Sequence, residues 1–534
     1  MFRECMIFTL VCSALAFAQD GANGPVAVNV DGSTVINTLS EQFFGHNYWM
    51  WCPTWGEQME GTEELISDLD LGLLRFGGIS VDLGYPDPVS ESVLADFASY
   101  CGAVGAQPLL QLQIGKYTTT EQRVANASAM LSYFKTQSSV RYVSIGNEPD
   151  IYPENQGANP DYGAQHLQEY TLEDYCSDFN AIASEIRKID PEIKIIGLEL
   201  SHKYSEWIPE FVSRCRENVD IISVHYYPYA ANGCTYRNAY NQSNKTGSFY
   251  SSVRDLIDRN ADGKEIPMLV GETNISWDGD PANSVYDASP GTFNAALWFG
   301  EFVGISTSQE NLLSIMPWSI REGWTLGFLN GSREPKPVYY VYKMFAENVK
   351  KHLIHKENVN SFVRVFAYKD DEGNASLYAI NWDTTSSYDV SFNFTGFAND
   401  TVLNYTVPAH SISCLTFSAV SESWKITEYT SEMESDPPAT SAINLLRSKE
   451  SLRAGQFTVD VSRVKNSMEI TSSARYTDVS LSILDLKGKV IGRTSVGTLT
   501  RGVNRVNFSK EIPAGVHLLK MTSGKRTLAR VRIE

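Results

Sequence analysis

Residues 142–150 read Tyr142-Val143-Ser144-Ile145-Gly146-Asn147-Glu148-Pro149-Asp150, and residues 268–274 read Met268-Leu269-Val270-Gly271-Glu272-Thr273-Asn274. Each is a short, largely apolar run that reaches a glycine and then presents a glutamate. Apolar runs of four to eight residues bounded by turn residues fit buried strands. Comparable runs recur at 43–48, 73–76, 108–114, 193–198, 221–225 and 313–317, with helical stretches between them. Strand alternating with helix indicates βα units and a parallel sheet. Eight such units between about residues 40 and 325 fit a (β/α)8 TIM barrel, typically about 250 residues. A doubly wound open sheet is the competing topology. No G-x-G-x-x-G follows the first run, which counts against it.

In such a barrel the C-terminal strand ends converge on one cleft. Glu148 and Glu272 then face each other across it. Paired carboxylates are what cleavage of a glycosidic bond requires, one to protonate the leaving oxygen and one to meet the positive charge at the anomeric carbon. A separation of about 5 Å makes the second a nucleophile and retains configuration, whereas roughly 6.5–9.5 Å admits a water and inverts it. The two groups must differ in protonation, and Arg75, ending the second run, is a candidate cation to keep one ionised. Pro149 disfavours helical geometry at Glu148 and is expected to leave it extended at the strand's end. Asn147 is placed to bond a sugar hydroxyl.

The surrounding chain has 534 residues and a net charge of −19, with 43% hydrophobic and 20% charged residues. That length calls for two or three domains, and the acidic balance counts against nucleic acid or anionic membrane as partner. An apolar run over 6–17 followed by Ala16-Phe17-Ala18 reads as a signal peptide over 1–18, which implies a secreted or cell-surface protein. No other stretch reaches the roughly 20 apolar residues of a membrane span. Removal of Cys5 and Cys12 would leave Cys52, Cys101, Cys176, Cys215, Cys234 and Cys414, enough for up to three disulfides. No pair has C-x-x-C spacing, so no metal is expected, and no cofactor.

The barrel is assigned to 26–334, with the alternating strand at 26–38 a candidate to join the β domain instead. Alternating strands over 335–420 indicate a β-sandwich, and 421–454, with Ser435-Asp436-Pro437-Pro438, reads as a linker. A small, basic β-rich module occupies 455–534. Trp49, Trp51, Trp55, Trp277 and Trp324 lie near strand ends, where indole rings either stack on sugars or cover half-wet surface. Lys116 and Arg321 are further cations near strand ends. The Trp277-Asp278-Gly279-Asp280 segment lacks the later ligands of a calcium loop.

Asn147-Glu148-Pro149 after a strand, with Glu272 ending a later one, resembles clan A of the retaining glycoside hydrolases. The resemblance implies Glu148 as acid/base, Glu272 as nucleophile and Arg75 as its support. It further implies that His225 and Tyr227 flank the nucleophile and that Trp318 floors the sugar site. Leu74-Arg75-Phe76-Gly77-Gly78, Val224-His225-Tyr226-Tyr227 and Gly271-Glu272-Thr273 look most like the heparanase-like and related families. The implied substrate is a polysaccharide or oligosaccharide, here taken as an extracellular, plant-type one with β-linkages. In the tail, residues 479–490 and Ile512-Pro513-Ala514-Gly515-Val516-His517-Leu518-Leu519 resemble a type IX secretion sorting domain, which implies secretion machinery as a partner. A carbohydrate-binding or adhesion protein on a non-catalytic barrel is the alternative, which loss of either glutamate would have favoured.

Overall fold

The computed structural model describes residues 26–48, 59–86, 88–322, 325–397, 400–421, 423–433, 436–443, 457–464, 467–472, 475–484, 489–500, 502–508, 517–523 and 526–533. It divides into two units, 1–444 and 445–534. The signal segment 1–18, Cys52, Trp49, Trp51, Trp55 and Trp324 lie outside the described residues.

The first unit contains eight parallel strands: β1 (Gly45–Tyr48), β2 (Leu73–Phe76), β3 (Gln107–Leu112), β4 (Tyr142–Ile145), β5 (Lys194–Leu200), β6 (Ile221–Tyr226), β7 (Met268–Thr273) and β8 (Leu312–Pro317). They pair in sequence order, and a parallel bridge between Phe44 and Ile315 brings the last strand back to the first. A helix follows each strand, among them Thr120–Gln137 after β3 and Leu172–Ile189 after β4. Both begin at threonines, Thr119 and Thr171, whose side chains accept from backbone N–H groups three residues on. Such capping boxes satisfy donors that the first helical turn leaves unpaired.

The barrel interior is layered. Leu73, Leu109, Tyr142, Ile196, Ile221, Leu269 and Met316 form an apolar cluster of their own. Two residues further along the same strands stand Arg75, Gln111, Ser144 and Ser223, all fully buried. Side chains two apart share a strand face, so one inward row passes from hydrocarbon to polar groups as it approaches the C-terminal ends.

Beside the barrel a seven-stranded sheet runs, in spatial order, Ala439–Ile443, Ser423–Thr430, Ser411–Ser418, Ala375–Asn381, Val363–Lys369, His352–His355, Asn37–Thr38. A second sheet orders Val26–Asp31, Tyr388–Thr395 and Thr401–Val407. The alternation in each strand decides its neighbours. Val363, Val365, Leu377 and Leu415 pack with Val28, Val30, Phe392 and Trp424 in the sandwich core. Phe366, Tyr368, Tyr378 and Ile412 point the other way and join the barrel's core. Buried Glu301, which accepts from Trp382 Nε1 (2.8 Å) and Arg364 Nε (3.4 Å), ties the two together. The early strand thus belongs to the β domain. So does the first part of the stretch read as a linker: 423–430 and 439–443 are strands, because Trp424, Ile426 and Tyr429 are buried between exposed or half-buried polar neighbours. The Pro437-Pro438 turn signal marks a connection between strands, not a boundary.

The five described cysteines, Cys101, Cys176, Cys215, Cys234 and Cys414, are buried free thiols. No helix among the described residues is long and apolar enough to cross a membrane. The second unit has a three-stranded sheet (Phe457–Val464, Ser467–Ser472, Gly502–Asn507) and a four-stranded one (Val490–Leu499, Tyr476–Leu484, His517–Ser523, Arg526–Ile533). Val479, Leu481, Ile483, Leu519 and Met521 lie in its core. Residues 485–488 and 512–516 of the tail resemblance lie outside the described residues.

Candidate active site

Arg75 organises the polar layer at the C-terminal end of the barrel. Its guanidinium is fully buried, and all five of its N–H groups have acceptors. Nε donates to Glu199 Oε1 (3.2 Å), Nη1 to Asn47 Oδ1 (2.8 Å) and Glu272 Oε1 (2.9 Å), and Nη2 to Gln111 Oε1 (2.9 Å) and Asn147 Oδ1 (2.9 Å). Five strands therefore meet at one planar cation, whose rigid fork fixes the geometry of each partner.

Glu272 ends β7 with both carboxylate oxygens engaged, Oε1 by Arg75 and Oε2 by the Tyr227 hydroxyl (2.9 Å). His225 Nδ1 lies 3.6 Å from Oε2. Burial lifts the Glu272 carboxyl above the usual carboxylate range, and His225 and Arg75 oppose that rise by favouring the charged form. Burial also raises the Tyr227 phenol, as does the Glu272 charge, so the phenol keeps its proton and donates it.

Glu148 follows β4, and its side chain is the more open of the pair, 17% exposed against 8% for Glu272. Its backbone is not extended. Proline at 149 excludes the right-handed helical region, and Glu148 takes the left-handed one instead, at φ 51°. Its N–H is held there by the Glu199 carbonyl (3.0 Å), and Pro149–Ile151 begins a 3-10 turn. Asp150 then accepts from the consecutive N–H groups of Ser201, His202 and Lys203, each at 3.0 Å, which fixes this loop to the end of β5.

His225, ending β6, bridges three carboxylates. Nδ1 is 3.0 Å from Glu148 Oε1 and Nε2 is 3.1 Å from Glu199 Oε2. Burial alone would strip the ring's second proton, but Glu272, Glu148 and Glu199 outweigh it and push the pKa up to about 10. Glu148, His225 and Glu272 each bring one donor atom within 4.8 Å of the others, a spacing that a cation would also find suitable. A metal-binding imidazole must offer a lone pair, and here each ring nitrogen lies within hydrogen-bond reach of a carboxylate oxygen, Glu148 Oε1 or Glu199 Oε2.

Trp318 follows β8 through a cis peptide to Ser319 and is 8% exposed. Its Nε1 donates to buried Glu322 (3.1 Å). A Cβ at Gly78 would lie 2.5 Å from the Trp318 ring, and Gly78 sits at φ 96°, so only glycine suits the position.

The structure thus places Arg75, Asn147, Glu148, His225, Tyr227, Glu272 and Trp318 at one end of the barrel, most of them in a single hydrogen-bonded network. Lys116 is exposed beside Gln113, and Arg321 donates to the Gly331 carbonyl (2.6 Å). Trp277 is 60% exposed. Sequence reasoning missed Asn47, Gln111, Glu322 and, above all, Glu199. The signal for Glu199 was present: a charged residue interrupts the apolar run Ile195-Ile196-Gly197-Leu198-Glu199-Leu200 at a strand end, as at Glu148 and Glu272. The expected strand stopped one residue short of it.

Residues 155–395 match the family model described as Glycosyl hydrolases family 39. No curated protein matches the chain. Among solved structures, a family 51 alpha-L-arabinofuranosidase from Bifidobacterium longum is 14% identical with a TM-score of 0.56, covering 73% of this chain and 99% of its own. A xyloglucanase of family 44 from Paenibacillus polymyxa is 11% identical (TM-score 0.53; 72% and 98% covered). A monomeric beta-xylosidase from Caulobacter crescentus CB15 is 14% identical (TM-score 0.52; 70% and 83%). At such identities the likeness is one of fold, and it extends through the barrel. The match to the family 39 model over 155–395, with two carboxylates at the C-terminal end of an eight-stranded barrel, supports a glycoside hydrolase of the retaining kind.

Proposed function

We propose that the protein is an exported retaining β-glycosidase that cleaves an extracellular, plant-type polysaccharide by double displacement, with Glu272 as nucleophile and Glu148 as acid/base. The observation that carries this reading is the approach of one oxygen from each carboxylate to within 4.8 Å. Oxygens that close favour direct attack by the second carboxylate over a water held between groups roughly 6.5–9.5 Å apart.

The environments divide the roles. Glu272 accepts from Arg75 and Tyr227 at 2.9 Å each, donors that favour its ionised form and fix its oxygens for attack. Glu148 is the more open, and its Oε1 lies 3.0 Å from the His225 ring. In the first step Glu148 gives its proton to the glycosidic oxygen as Glu272 bonds to the anomeric carbon. In the second, the Glu148 carboxylate takes a proton from water, and the hydroxide so formed displaces Glu272. Asn147, its amide oxygen held by Arg75, offers its NH2 to the sugar's 2-hydroxyl, and the Trp318 face floors the sugar. Heparanase-like specificity would add a requirement for uronic acids. Export rests on the 1–18 segment and on the type IX resemblance of the tail, and loss of the protein from culture medium on deletion of 455–534 tests it.

Wild type and Glu148→Gln are to be assayed for reducing ends on β-glucans, xylan, mannan, galactans and uronic-acid polymers. One polymer should respond, with a loss in the variant of about 10²–10⁴-fold. Equal activity in the variant would remove Glu148 from the mechanism. Polymer binding without hydrolysis in the wild type would favour an adhesion protein.

A further inference from the structure

A third carboxylate, Glu199, sits behind the pair and has no place in the double displacement. It is fully buried, and its oxygens accept from Arg75 Nε (3.2 Å), the Ser223 hydroxyl (2.6 Å) and His225 Nε2 (3.1 Å). The backbone is bent to deliver it. Leu198 and Glu199 both lie in the left-handed region, at φ 79° and 46°, where β5 shifts register against β6. A bulge of this kind inserts an extra residue and redirects a side chain, often beside active sites. On β7, two strands away, a Cβ at Gly271 would lie 2.3 Å from Glu199 Oε2, so the residue before the nucleophile must be small for Glu199 to fit. Two unfavourable backbone conformations, a register break and a glycine all serve one buried charge.

We propose that Glu199 is a positioning residue that, by bridging Arg75 and His225, keeps the His225 ring doubly protonated and so directs the acid proton of Glu148 toward the substrate. The assignment rests on the reading of Glu148 as proton donor. Its logic is one of hydrogen-bond polarity. With a single proton on Nε2, Nδ1 would present a lone pair 3.0 Å from Glu148 Oε1 and would accept the proton that the glycosidic oxygen needs. With both nitrogens protonated, Nδ1 donates to Oε1, and the acid proton of Glu148 resides on its other oxygen. Charge balance supports the same state. Arg75 and His225 supply two positive charges, and Glu199 and Glu272 two negative ones, so Glu148 can be neutral within a balanced cluster. Glu199 itself, despite burial that raises it, is held down to about 2 by Arg75 and His225. The groups facing the His225 ring are Glu148 from the end of β4, Glu199 from β5 and Glu272 from β7, with Tyr227 bonded to Glu272 and Arg75 of β2 behind Glu199 and Glu272.

The test compares wild type, Glu199→Gln and Glu199→Asp, with ring 15N NMR on histidine-labelled protein assigned through His225→Asn. In the wild type His225 is expected to remain doubly protonated through pH 8, and in Glu199→Gln to lose a proton at least about one pH unit earlier. Glu199→Asp, which keeps the charge, should restore the wild-type state. In turnover, Glu199→Gln should move the alkaline limb of kcat/KM downward. It should also cost at least about tenfold more on substrates with poor leaving groups than on nitrophenyl glycosides, which need little protonation. A singly protonated His225 in the wild type at pH 7 would overturn the proposal without any variant, as would identical ring titration in wild type and Glu199→Gln. If no glycoside is hydrolysed, the glycosidase reading fails, and the ring measurement still decides the role of Glu199.

Discussion

The two layers inside the barrel occupy the same strand faces two residues apart, yet one is hydrocarbon and the other is charged. Leu73 precedes Arg75, Leu109 precedes Gln111, and Ile221 precedes Ser223 and His225. All but Ile221 of these are fully buried. The lower layer stabilises the fold by removing apolar surface from water, about 25 cal/mol per Å². The upper layer buries two cations and two anions, whose desolvation their mutual attraction repays only with good geometry. The five satisfied donors of Arg75 and the two engaged nitrogens of His225 are that geometry. The difference teaches that the barrel holds itself together from one end of its lumen and holds a strained, pre-formed charge array at the other.

Substitutions at the two levels should separate. The largest effect expected is on chemistry: Glu272→Ala should lower kcat by on the order of 10⁴-fold while the protein remains folded, measured by reducing-end release alongside urea denaturation. Arg75→Ala strands two buried carboxylates and should cost about 3–5 kcal/mol of stability together with nearly all activity. Leu109→Ala, one layer below, should cost about 2–5 kcal/mol by opening a cavity, yet leave kcat within about threefold. If Leu109→Ala instead abolished turnover at temperatures where the protein is folded, the two layers would not be separable.

The pH dependence sharpens the same contrast. The folded pKa of His225 is raised from 6.5 to about 10, so its contribution is fully present below 6.5 and is lost as pH rises toward 10. That of Glu199 is lowered from 4.5 to about 2, so its contribution is present above 4.5 and is lost as pH falls toward 2. The charged layer therefore stabilises the fold most between these ranges, near pH 5–6, and stability measured in urea across pH should peak there. Arg75→Ala should flatten the peak and Leu109→Ala should not. The smallest effect belongs to the surface, where Arg259→Ala, removing an exposed pair with Asp255, should change stability by no more than about 0.5 kcal/mol.

Much of this arrangement was legible in the sequence because its signals are local. A glycine followed by a glutamate at the end of an apolar run marks Glu148 and Glu272, and the run itself marks the strand. What was illegible depends on contacts between distant segments. Glu199 needs a bulge that no pattern of period two announces. Asn47 and Gln111 are ordinary amides until Arg75 arrives between them. Pro149 correctly excluded the helical region at Glu148, but the choice between extended and left-handed backbone was made by the Glu199 carbonyl, from another strand. The stretch after residue 421 was read by its prolines, whereas Trp424 and Ile426 pair with Ser411–Ser418 and decide its structure.

The most direct test of the central claim is to quench the enzyme by rapid denaturation during turnover on its responding substrate and map the peptides by mass spectrometry. The account predicts one sugar-mass adduct on Glu272, absent from Glu272→Ala, and a first-formed product that keeps the substrate's anomeric configuration. An inverted product, or an adduct on any other residue, would contradict it.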